Sequence, residues 1–113
     1  MRKTDKKIDN TLRVLLTEVC DSALENVEGF KWLTHLANYD NFPGSLSVIC
    51  IFNTNLKLAQ AKSLKRDDYL RNLIKQKLDC ADIKIHNITK HVSFDTEEEC
   101  IINNDGNWHE RLG

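Results

Sequence analysis

The run LSVICIF at residues 46–52 is apolar on both of its alternating faces, apart from Ser47. A strand with one wet face alternates apolar and polar residues, so this run reads as a central, covered strand. A sheet must therefore be built around it. The preceding FKWLTHLA is rich in aromatic and branched residues, and simple alternation places Phe30, Trp32, Thr34 and Leu36 on one face. Between the two runs, NYDNFPGS holds the only proline and a Pro43-Gly44 turn signal. An antiparallel pair is expected, and its loop is longer than a tight hairpin needs, which makes it a place for function.

Helical patterns surround this pair. In IDNTLRVLLTEVCDSALENVEG, Ile8, Leu12, Leu15, Leu16, Val19, Cys20, Ala23, Leu24 and Val27 form one broad stripe. Thr4 or Asp5 can cap its start and Gly29 can stop it. Its polar face is acidic, through Asp9, Glu18, Asp21, Glu25 and Glu28. After Asn53–Asn55 a second helical region carries Leu56, Leu58, Ala59, Ala61 and Leu64, then Tyr69, Leu70, Leu73, Ile74 and Leu78. Arg66-Asp67-Asp68 can restart a helix there, so one bent helix and two helices both fit. DIKIHNITKHVSF alternates at Ile83 and Ile85 and again at Val92 and Phe94. The break between them predicts a bulge or turn near Asn87, within one bent strand or two short ones. A short helix from Thr96 and a tail follow.

The expected architecture is therefore α+β, in the order α-β-β-α(α)-β(β)-α. It is a single compact two-layer domain, with a small, mostly antiparallel sheet and helices packed on one face. The 113 residues fill one domain, with 1–7 read as a loose basic N-terminus and 104–113 as a tail.

The stretch NITKHVSFDTEEEC packs the side chains of acid–base chemistry close together. His86, His91, Asp95 and Glu98 would be the catalytic group of a hydrolase or nuclease. The same acidic residues also fit a helix start, because Glu98 follows Asp95, and Glu99 follows Thr96, at capping-box spacing. Strand alternation would then put His86 and His91 on opposite faces unless a bulge near Asn87 intervenes.

Other chemistries find less. The four cysteines, at 20, 50, 80 and 100, include no close pair of the kind that announces zinc, and read as small buried hydrophobes. The glycines at 29, 44, 106 and 113 never cluster, so neither a P-loop nor a dinucleotide fingerprint is present. No cofactor, nucleotide or metal is expected. No apolar run approaches the ~20 residues that span a bilayer, and the basic N-terminus has no apolar segment behind it. A cytoplasmic location and no membrane partner are the expectation.

Two binding surfaces remain. Lys57, Lys62, Lys65, Arg66, Arg71, Lys75 and Lys77 form a basic helical face suited to nucleic acid. The net charge of -1 argues against a surface that is basic all over. Trp32, Tyr39, Phe42 and Trp108 are the aromatic residues of a partner surface. The leading reading is a non-catalytic module that binds another macromolecule, a protein or a second copy of itself. The alternative is a nucleic-acid-binding accessory factor, and an enzyme stands third.

The segments MRKTDKKIDNTLR, GFKWLTHLANYDNFP, DTEEEC and NDGNWHERL together resemble, over most of the chain, a group of small gamma-proteobacterial proteins. Members of that group are sometimes labelled Fis-type transcriptional regulators. The resemblance implies a bacterial cytosolic origin and little chemistry, and it brings no functional residues with it. The C-terminal EEECIINNDGNWHERLG is acidic and then glycine-punctuated, and reads as too short for the two helices of a DNA-reading helix-turn-helix.

Overall fold

The computed structural model describes residues 2–113. Its first helix, α1 (Lys3–Asn26), buries the predicted stripe: Leu12, Leu15, Leu16, Val19 and Ala23 are all inside, while Leu24 at its edge is exposed. The helix starts earlier than the capping residues suggested, so residues from Lys3 onward are not a loose terminus. Arg2 is the N-cap without a capping side chain; its guanidinium instead bridges Asp5 and Asp40, each at 2.9 Å. Asp5 sits in the first turn, where a carboxylate meets the positive end of the helix dipole. Just beyond the helix Gly29 turns the chain, with φ at +87°.

Strands β1 (Phe30–Leu36) and β2 (Ser47–Phe52) pair antiparallel, as expected. Their register steps from Phe30↔Phe52 to Trp32↔Ile51, so Lys31 is an extra residue on β1. A bulge of this kind exchanges the two faces of a strand. Phe30 therefore joins Phe52 in the main core, whereas Trp32 stands beside Ile51 on the opposite face. The single face proposed for Phe30, Trp32, Thr34 and Leu36 is split at this point.

The second helical region is two helices, α2 (Asn55–Ser63) and α3 (Arg66–Cys80). Thr54 caps α2 by accepting from the Lys57 amide, and Lys65 breaks the run with a left-handed φ of 60°. Asp67 and Asp68 lie in the first turn of α3, after a cap at Lys65. Leu70, Ile74 and Leu78 of α3 and Ala61 of α2 complete one core with α1 and the inner face of β2.

Ile83 and Ile85 are buried, as their alternation implied, yet they belong to no strand. Ala81 and Asp82 form a turn, and residues 83–87 run as a loop into a single helical turn, α4 (Ile88–His91), which Asn87 caps through the Thr89 amide. Only β3 (Val92–Thr96) pairs, and it runs parallel to β2. The connection between them carries α2, α3 and the single turn α4, ample for the crossover that a parallel pair requires. The sheet is therefore mixed, in the order β1-β2-β3, where mostly antiparallel pairing was expected.

The C-terminus forms two short helices, α5 (Glu97–Asn104) and α6 (Trp108–Leu112), where a helix and a tail were expected. Thr96 caps α5 by accepting from the Glu99 amide at 3.0 Å. Residues Trp32, Ile51 and Asp95 lie in one row across the outer face of the sheet. From α6, Trp108 stacks edge-on against Trp32 at 5.0 Å and Arg111 grips Asp95. Ile51 between them is 0% exposed. Helices thus cover both faces of the sheet. The class is the expected small α+β domain, with six helices and three strands among the described residues.

Candidate functional site

The loop between β1 and β2 is held by a partly buried polar network. Tyr39 donates its hydroxyl to Asp9 Oδ1 at 2.6 Å, His35 Nε2 lies 3.2 Å from the same oxygen, and Arg13 Nε donates to Oδ2 at 2.9 Å. The Tyr39 hydroxyl, helped by His35 and Arg13, holds the Asp9 carboxyl below its ordinary range despite its burial. Burial, with Asp9 beside it, pushes Tyr39 up to about 12. Phe42 packs on Tyr39 with ring centroids 5.6 Å apart. So Tyr39 is a staple, and Phe42 is the neighbour it positions.

Phe42, Pro43 and Gly44 form one wall of an open cleft of about 700 Å³. Ile8 of α1 and residues 81–86, with His91, complete it. His86 and His91 line this one cleft, contrary to the strand expectation of opposite faces, because the α4 turn replaces the strand between them. His91 Nδ1 lies 2.6 Å from the Leu46 carbonyl oxygen. A carbonyl only accepts, so Nδ1 carries the proton and Nε2 is left as the ring's free nitrogen. Ile83 and Ile85 are buried on the core side of the segment, and exposed Lys84 lies 3.6 Å from Asp82 at the rim. Sequence reasoning missed Ile8 and Lys84 as cleft residues, because contact across the fold leaves no local signal.

Of the candidate acid–base group in NITKHVSFDTEEEC, Asp95 and Glu98 are engaged by partners other than the cleft histidines. Arg111 donates to both oxygens of Asp95, from Nε at 2.6 Å and from Nη2 at 2.9 Å. Burial alone would raise the Asp95 carboxyl, but Arg111 and the Thr96 amide more than offset this and hold it low. Glu98 accepts from the Asn55 amide at 2.8 Å, tying α5 to the start of α2. Among the described residues no three His, Cys, Asp or Glu side chains gather as a metal site. Cys50 and Cys100 are buried, Cys20 is partly so, and Cys80 is exposed, against the expectation of four buried thiols. Burial pushes the Cys50 thiol up to about 12, where it is a poor nucleophile.

The basic residues do not form one free stripe. Lys57 pairs with Glu28 at 2.6 Å, Lys75 with Asp79 at 3.0 Å and Lys77 with Glu18 at 2.7 Å. Arg71 pairs with Asp67 and Asp68 and stacks over Phe94 at 5.1 Å. Lys62, Lys65 and Arg66, around the α2–α3 corner, are exposed and form no ion pair among the described residues. Trp32 and Trp108 are spent on each other. Comparison with known protein families, curated proteins and solved structures finds no match to this chain.

Proposed function

We propose that the protein is a non-catalytic binding module whose cleft takes an apolar segment of a partner protein. The single observation that carries this reading is the convergence of Phe42, His86 and His91 with Ile8 around one open cleft. Its apolar wall would receive the partner's side chains, and the imidazoles would engage a carboxylate or hydroxyl beside them. The Tyr39–Asp9 bond holds the loop wall in place, so little ordering is required on binding. The other candidate acid–base groups, Asp95 and Glu98, are engaged within the fold. Free cysteines accord with a reducing compartment such as the cytosol. No helix of the described residues is long and apolar enough to cross a membrane.

Selection of a displayed peptide library on the wild-type protein tests the proposal, with a His86→Trp variant as counter-screen. His86 is exposed at the rim, so the bulky ring should obstruct the cleft without disturbing the core. Peptides that bind the wild type and lose affinity at least tenfold on the variant support the reading. Equal binding to both, or turnover of a substrate dependent on His91, would sink it. Nucleic-acid binding through the helical face would rest on Lys62, Lys65 and Arg66, giving a salt slope of roughly -2.7 for three phosphates.

A further inference from the structure

We infer that the protein forms a two-fold dimer by laying the outer face of α1 antiparallel on the same face of a second copy. This surface lies apart from the cleft above, and the inference does not depend on it. At 100° per residue, Lys3, Lys7, Asn10, Asp21 and Glu25 lie within about 40° of the line through Val14, opposite the buried stripe. All of them are exposed, and Val14 is 64% exposed at the centre.

The charge along this face is divided. Lys3 and Lys7, with Lys6 at the edge, occupy the N-terminal half, and Glu18, Asp21 and Glu25 the C-terminal half. That division opposes the helix's own dipole, which favours acids at the start and bases at the end. It therefore costs the isolated helix stability, and the fold compensates only in part, through Asp5 in the first turn and the Lys77–Glu18 pair: Lys3, Lys6, Lys7, Asp21 and Glu25 form no ion pair among the described residues. An antiparallel copy supplies one. Each residue then meets the one equally far beyond Val14, so Lys3 faces Glu25, Lys7 faces Asp21 and Val14 faces itself. The pattern is self-complementary, as an isologous interface must be. Beside Lys3, Lys7 and Val14 runs a groove of about 660 Å³ that gives the partner's acidic half room to settle. One apolar residue at the centre makes this a small, salt-sensitive contact of the weak class.

Sedimentation equilibrium of the full chain, at high micromolar concentration and low salt, tests it. Wild type should dimerise, and Lys7→Glu and Asp21→Lys should each weaken self-association about tenfold or more, since two attractive pairs become repulsive. An equimolar mixture of the two variants should restore a heterodimer, because both of its charge pairs are again attractive. Both substitutions suit the helix dipole, so loss of the dimer cannot be put down to a weakened helix, and circular dichroism checks this. A monomeric wild type, a dimer indifferent to either substitution, or a mixture that stays monomeric would overturn the inference.

Discussion

Arg111 grips both carboxylate oxygens of Asp95, sixteen residues earlier in the chain, at 2.6 and 2.9 Å. The pair is about four-fifths buried and lies beside the Trp32–Trp108 stack, so it fastens the C-terminal helix to the outer face of the sheet. Arg111→Ala should cost about 2 kcal/mol, the scale of a hydrogen bond between charged groups. Arg111→Lys should recover little of it, since an ammonium cannot reproduce the two-pronged contact. Chemical denaturation measures the loss, and a red shift of tryptophan emission would report Trp108 leaving Trp32.

The same ion pair, with the Asp9 network, sets the acid limit of stability. Both carboxyls are held below their ordinary values in the fold. A group depressed in this way contributes stability that is complete above its unfolded pKa and is lost as the pH falls through its folded one. The contribution of these two carboxylates should therefore be level above about pH 5 and decline below about pH 4. Asp9→Asn and Asp95→Asn should each flatten that decline in a series of denaturation curves.

Tyr39 acts in the opposite direction at alkaline pH. Its phenol is pushed up to about 12, so the folded form keeps a proton that the unfolded chain releases near 10. Its contribution should be complete below pH ~10 and be lost as the pH rises towards about 12. Tyr39→Phe should remove this component, as denaturation curves taken across the alkaline range would show.

Gly29 admits no side chain. Its φ is +87°, and an added Cβ would come within 2.5 Å of the Lys57 Cβ. Gly29→Ala should cost about 1–3 kcal/mol from backbone strain alone, with displacement of the start of α2 besides. Gly106 has a similar φ but open space around it, so Gly106→Asn should be mild in the same thermal-melt assay.

The bulge at Lys31 is a sharper test of the sheet. Lys31 is exposed, and Lys31→Ala should change stability by no more than about 0.5 kcal/mol. Deleting the residue forces Trp32 towards the core face and Leu33 away from it, because one step of register exchanges every side chain. The deletion should destabilise by more than about 4 kcal/mol or prevent folding.

Periodicity made the longer helices and the central strand legible. The stripe from Leu12 to Ala23 and the doubly apolar β2 bury as their spacing demands. The cap at Thr96 and the stop at Gly29 were legible for the same reason, since each acts on its own few residues. Ile83 and Ile85 misled: alternate burial looks the same whether an extended segment pairs or merely lies on a core. The bulge left no mark either, because an extra residue in a strand is visible only against its partner.

The sequence by itself determined that α1, the α2–α3 region and α5 are helical, which strand is central, and that the chain is a small α+β domain. These follow from side-chain spacing and backbone preference, which act over a few residues. Only the tertiary structure decided that β3 returns parallel, that His86 and His91 share a cleft with Phe42, and that Asp95 belongs to Arg111. Each of those depends on residues distant in the chain, brought together by burial of a common core, and on charges finding the nearest partner once that core has formed.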